Sequence, residues 1–113
     1  MLAKKQGRYY TYFQKYRMTP KGKYHLYNGH AKRRGIMMKL NFTQFSEIIS
    51  QPCRYCGDHG PQIGVDRVDN AVGYTLENSV ACCKYCNFMK KDMSEEDFLE
   101  HVIKISTFTL LNR

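Results

Sequence analysis

Two short stretches, Cys53-Arg54-Tyr55-Cys56-Gly57 and Cys83-Lys84-Tyr85-Cys86-Asn87, decide how this chain folds. Each contains a Cys-x-x-Cys pair, and 26 residues separate the pairs. Such a pair makes a tight knuckle that presents two thiolates to one tetrahedral metal. The four cysteines Cys53, Cys56, Cys83 and Cys86 therefore predict a structural zinc. Gly57 suits a knuckle in which the chain must take a positive φ. Between the knuckles lie Ile63-Gly64-Val65-Asp66-Arg67-Val68-Asp69-Asn70, then Gly73-Tyr74-Thr75 and Asn78. The order reads as knuckle, strand from Ile63 to Val68, loop from Asp69 to Gly73, strand from Ser79 to Cys82, knuckle, and a helix starting near Cys83. A zinc there would staple the start of a β-hairpin to the start of a helix. Cys82 breaks the phase of the pairs and reads as a buried thiol.

Outward from this core the helix signals are local and clear. Asn41-Phe42-Thr43-Gln44 is a capping box. The helix behind it puts Phe42, Phe45, Ile48 and Ile49 on one face and stops before Gln51-Pro52. Thr19-Pro20 opens an earlier helix that runs to Arg34 and ends at Gly35. Tyr24, Tyr27 and Ala31 face the core from it, and His25 and His30 read as surface residues rather than ligands. Ile36 to Leu40 reads as extended. On the other side, Ser94 with Glu95, Glu96 and Asp97 opens a last helix, which is expected to bury Phe98, Leu99, Val102 and Ile103. Thr107 to Arg113 carries no strong signal. The fold class is α+β: one domain over residues 19–113, with the zinc and ββα core at 53–91, flanking helices, and a basic aromatic arm at 1–18. Within the arm, the run from Gly7 to Phe13 reads as a strand or as a loosely packed segment. A chain of 113 residues buries only about two-thirds of its unfolded surface, and a structural zinc offsets that deficit.

The net charge is +8, and it is unevenly spread. Residues 1–46 hold eleven of the 18 Lys and Arg and no Asp or Glu, while all ten acidic residues follow. The same half is rich in tyrosine: Tyr9, Tyr10, Tyr12, Tyr16, Tyr24 and Tyr27. Basic side chains interleaved with rings suit a nucleic acid, with cations on phosphates and rings free to stack on bases. Lys23, Lys32, Arg33, Arg34, Lys39, Lys84, Lys90 and Lys91 are the expected contacts. DNA is the favoured partner, RNA the second. No clean apolar face accompanies the charges, which argues against a membrane surface. No apolar run follows the first residues, and no stretch approaches the ~20 apolar residues of a membrane span. Five cysteines in that setting predict an intracellular, reducing compartment, cytoplasmic or nuclear.

Asp66 sits mid-strand between apolar neighbours, where an unpaired charge is costly. Asn87 follows the last zinc cysteine, so the metal fixes its position. Carboxylate and amide oxygens suit a hard divalent ion that holds a phosphate. With these residues the stretch resembles the zinc-containing HNH endonuclease family, the ββα-metal fold. It is similar in particular to the phage recombination endonuclease VII arrangement and to small phage and virus HNH proteins. The resemblance covers roughly residues 22–105; its specific part is Cys53–Asn87. It implies that Asp66 and Asn87 hold a catalytic Mg²⁺ or Mn²⁺, and that Asn78 orients the catalytic loop or holds the base.

Where the family usually has its general-base His, this chain has Arg67. Arginine stays protonated and is a poor base but a good phosphate clamp. Three readings follow. In the first, another group is the base: Asp69, placed by strand alternation on the side of Arg67, or His59 in the preceding turn. In the second, metal-bound water attacks without a protein base. In the third, catalysis is lost and the fold is a zinc-containing DNA- or RNA-binding regulator. Active metal-dependent endonuclease is the leading expectation. One ββα unit cuts one strand, so double-strand cleavage would need a homodimer or two events.

Overall fold

The computed structural model describes residues 14–113. The run from Gly7 to Phe13, like the rest of residues 1–13 of the expected arm, lies outside the described residues. Residues 14–18 are helical. Six elements follow: α1 (Pro20–Arg34), α2 (Phe42–Ile49), β1 (Ile63–Arg67), β2 (Ser79–Cys83), α3 (Lys84–Lys90) and α4 (Glu95–Leu111). The architecture is mixed α+β, as expected. β1 and β2 form one antiparallel pair, with Ile63 opposite Cys83 and Arg67 opposite Ser79. β1 stops one residue short of the expected Val68.

Local chemistry sets each boundary. Thr19 Oγ1 accepts from the Gly22 amide at 3.1 Å, Pro20 takes the first turn, and Gly35 closes α1 at φ 68°. The capping box of α2 is reciprocal: Asn41 Oδ1 accepts from the Gln44 amide at 2.8 Å, and Gln44 Oε1 accepts from the Asn41 amide at 3.0 Å. Ser94 Oγ caps α4 through the Asp97 amide at 3.1 Å. Each cap satisfies an amide that the first helical turn leaves without a partner.

Two small cores meet at Ile48 and Ile49 of α2. One joins Cys53, Ile63, Ala81, Cys82, Cys83 and Cys86; the other joins Leu40, Phe45 and Val65. Around the second, Tyr24, Tyr27 and Tyr74 pack edge-on or tilted, with Tyr27 5.2 Å from Phe45 and 5.9 Å from Tyr74. Such pairs add about 0.5–1.5 kcal/mol each beyond area burial. Met38 bridges to Tyr74, which brings the extended segment before α2 against the hairpin loop.

α1 is tied to β1 by two polar contacts. The Val65 amide donates to Tyr27 Oη at 3.0 Å, and burial pushes the Tyr27 phenol up to about 12. Lys23 Nζ donates to the carbonyl oxygens of Pro61 and Ile63, and burial lowers its pKa. Lys23, expected to meet phosphate, is thus a strut between α1 and the hairpin.

α4 departs from expectation. Phe98 is buried, edge-on to Tyr55 at 5.3 Å, and Glu95 pairs with Arg54 at 2.6 Å. Leu99 and Ile103 are 37% and 64% exposed, and Val102 is half-buried. At 17 residues α4 is roughly 25 Å long and outruns the small core on which its first turn rests.

Gly64 is where the close approach of α1 is paid in sequence. A Cβ at this position would collide with Tyr27 Oη. Gly64→Ala is expected to destabilise the domain by about 1–3 kcal/mol, as overpacking does. Thermal denaturation checks it; an unchanged midpoint would mean that α1 is not held as described.

Candidate metal centre and cleft

The four cysteines of the two knuckles converge. Their Sγ atoms all lie within 4.8 Å of one another, and those of Cys56 and Cys83 are 3.6 Å apart. A tetrahedron with Zn–S bonds of about 2.3 Å has edges of about 3.8 Å. Donor type, number and spacing therefore fit a zinc ion. Cys53, Cys83 and Cys86 are buried and Cys56 is exposed. The first knuckle is closed by the Gly57 amide donating to the Cys53 carbonyl at 2.9 Å, with Gly57 at φ 80°. Cys83 caps α3, its Sγ accepting from the Cys86 amide at 3.4 Å. Burial alone would raise the Cys53 thiol; the amides of Cys83, Cys56 and Tyr55 outweigh it and hold the thiol down at about 6. Cys82 is fully buried beside the cluster and burial pushes its thiol up, as suits a residue outside the ligand set.

A cleft of about 520 Å³ opens between α1, β1 and α3. Asp66, Arg67, Asn70 and Tyr74 line it from the hairpin, Asn87, Lys91 and Asp92 from α3 and its end, and Leu26, Tyr27, His30 and Arg34 from α1. Asp66 and Asn87, the expected metal pair, thus share one cavity. Among the described residues the Asn87 side chain has no hydrogen-bond partner. Asp66 is buried and already engaged: Tyr55 Oη donates to Oδ2 at 2.9 Å, and Lys90 Nζ lies 3.1 Å from Oδ2 and 3.4 Å from Oδ1. Lys90 also donates to the Arg67 carbonyl at 3.2 Å and is fully buried. It is therefore an internal counterion and not the phosphate contact expected from the sequence. Burial and the Asp66 carboxylate raise the Tyr55 phenol, which keeps it a donor.

Arg67 is only 8% exposed. Its Nη1 donates to the carbonyls of Asn70 at 2.9 Å and Val72 at 3.1 Å, and its guanidinium lies 5.5 Å over the Tyr74 ring. Nη1 of this arginine is committed to the loop, while the residue itself lines the cleft. Asn78 works on the same loop: Nδ2 donates to the carbonyls of Asp69, Val72 and Gly73, and Oδ1 accepts from the Asp69 amide at 2.8 Å. It holds the loop from Asp69 to Gly73 in place.

The two expected bases lie elsewhere. β1 ends at Arg67, so strand alternation does not carry on to Asp69. Asp69 is exposed, bonds the Ala71 amide at 2.9 Å, and lines a separate groove with Arg54, Glu95 and Leu99. His59 is exposed in its turn and does not line the cleft. Lys32, Arg33, Lys39, Lys84 and Lys91 are exposed, and Arg34 is exposed at the cleft rim. The sequence reading missed His30 as a lining residue. Its one available signal was the four-residue spacing Leu26, His30, Arg34 beside the inward-facing Tyr27.

No family model and no solved structure matches this chain. It is similar to the uncharacterized protein R423 of Acanthamoeba polyphaga mimivirus, 30% identical over 96 residues, which is 83% of this chain and 18% of that protein. It is also similar to the uncharacterized 29.0 kDa protein in the dda-modA intergenic region of Enterobacteria phage T4, 32% identical over 77 residues, 62% of this chain and 31% of that protein. The chain thus spans less than a third of either relative. Both relatives are viral, in keeping with the expected setting. Among the described residues no helix is long and apolar enough to cross a membrane.

One zinc per chain is expected by elemental analysis. Binding displaces thiol protons, so affinity should rise with pH and acidification should release the metal. Chelation, or Cys86→Ser, is expected to abolish the cooperative thermal transition seen by circular dichroism. A metal-free protein that still melts cooperatively would contradict a structural centre.

Proposed function

We propose that this chain is a metal-dependent endonuclease of the HNH type that hydrolyses phosphodiester bonds, with DNA as the favoured substrate and RNA as the second. The observation that carries the reading is the shared cleft: a strand aspartate and a helix asparagine, each close to a cysteine knuckle, line with Lys91 a cavity wide enough for a phosphate, with Arg34 on the α1 wall. A divalent ion held by Asp66 and Asn87 would neutralise the phosphate and the leaving oxygen. A carboxylate has about four acceptor sites, and Tyr55 and Lys90 engage both Asp66 oxygens without filling them. Arg67 supports the site by ordering its loop. The exposed cations Lys32, Arg33, Lys39 and Lys84 would add affinity that is independent of sequence and weakened by salt. A phage or viral role, a reducing intracellular setting and, for double-strand cuts, a homodimer belong to the same reading.

One observation favours a second reading, a zinc-containing nucleic-acid-binding protein without catalysis. The Lys90 ammonium sits against the carboxylate that would hold the ion. It also shapes the test. Asp66→Ala would leave Lys90 buried and unpaired, a loss of about 3–5 kcal/mol that could be mistaken for lost chemistry. Asn87→Ala is the cleaner variant. Supercoiled plasmid is expected to be nicked with Mg²⁺ or Mn²⁺ and not with EDTA. Loss of a direct ligand should cost at least the upper end of what outer-shell partners cost, about 100-fold. The rate should fall by that much in Asn87→Ala at unchanged zinc content. A folded, zinc-loaded protein that retards DNA on a gel but leaves it uncut whichever divalent ion is supplied would establish the second reading.

A further inference from the structure

His30 stands opposite the hairpin, on an element outside the ββα unit. Tyr27 accepts the Val65 amide at 3.0 Å and so pins the middle of α1 one residue before Asp66. His30 lies three residues beyond Tyr27 and Arg34 seven, so the helical period turns both toward the same side. Both line the cleft with Asp66 and Asn87. His30 is the one imidazole lining it. The other titratable and charged groups that face it are Arg34 on its own helix, Asp66 with its Lys90 partner, Arg67, Tyr27, Tyr74, Lys91 and Asp92. The arginines and lysines are donors only, burial raises both phenols, and Asp66 is engaged. Asp92, beyond the end of α3, is the remaining carboxylate.

We propose that His30 is the general base of this nuclease, supplied from α1 in place of the strand residue that Arg67 replaces, with Arg34 one helical turn on as the phosphate clamp. The inference rests on the endonuclease reading. In the step, a water oxygen forms a bond to phosphorus while its proton passes to the imidazole. The P–O ester bond breaks, and the leaving oxygen takes a proton from solvent. His30 returns its proton to bulk water. His30 is exposed, so its replacement leaves no buried cavity.

The test compares plasmid nicking by wild type, His30→Ala, His30→Gln, Asp92→Asn and, as control, the exposed His25→Gln. Zinc content and DNA retardation are measured for each. General base catalysis contributes about 10²–10⁴-fold, so both His30 variants should lose that factor while still binding DNA. Added imidazole should restore cutting to His30→Ala. The acid limb of the wild-type pH profile should vanish from its residual activity. His25→Gln should cut like wild type. If wild type cuts and His30→Ala cuts equally fast, or if Asp92→Asn alone loses the rate, the inference falls while the nuclease stands. If wild type cuts nothing under any divalent ion, both fall.

Discussion

The convergence of four thiols is the constraint on which the rest of this molecule depends. Two strands of five residues make a hairpin that is marginal alone in water, and the two apolar cores around it are small. The cysteine cluster supplies what they lack. It joins the first knuckle to the start of β1 and the end of β2, and it caps α3 with a ligand sulfur. The Arg54 amide, donating to the Ala81 carbonyl at 2.9 Å, extends that junction into the sheet. From this anchor β1 runs outward to Asp66 and Arg67, and α3 runs outward to Asn87 and Lys90. The floor and one wall of the cleft are therefore one short strand and two helical turns from the metal.

The second organising feature is a buried charge pair. Asp66 and Lys90 lie 3.1 Å apart, with the ammonium fully buried and the carboxylate nearly so. Such a pair needs further hydrogen bonds to hold it, and here Tyr55 donates one to Asp66 and the Arg67 carbonyl accepts one from Lys90. Arg67 and Asn78 then share the Val72 carbonyl and fix the loop from the other side. The outcome is a rigid, pre-ordered floor whose one carboxylate is partly neutralised. A divalent ion at this site would bind in competition with an internal ammonium. That makes the rate of any nuclease here sensitive to how Lys90 is held.

Much of this was legible in the sequence where the determinant is local. The spacing of the cysteines, the caps at Thr19, Asn41 and Ser94 and the stop at Gly35 each depend on a few neighbouring residues. The failures share a different cause. Lys90 and Lys91 are adjacent lysines at the end of one helix; one is buried and the other exposed, and only a carboxylate on another element distinguishes them. Lys23 was read as a phosphate ligand because its charge is visible and its carbonyl partners are not. Asp69 was assigned by alternation past the point where the strand stops. The apolar pattern of α4 is genuine, but the core it would cover is shorter than the helix. His30 was read as a surface residue, and it is one; that the surface is a cleft wall follows from Tyr27 docking on the Val65 amide, a contact 38 residues apart in sequence.

The central claim is that a zinc-held hairpin and helix present a second, divalent-metal site between Asp66 and Asn87. The most direct measurement is anomalous diffraction at the zinc and manganese edges from crystals of the protein grown with Mn²⁺ and a short DNA duplex. The expected maps show zinc inside the four thiolates and manganese between the Asp66 carboxylate and the Asn87 amide, against a phosphate. Zinc in its place, with DNA bound and no manganese in the cleft, would contradict the account.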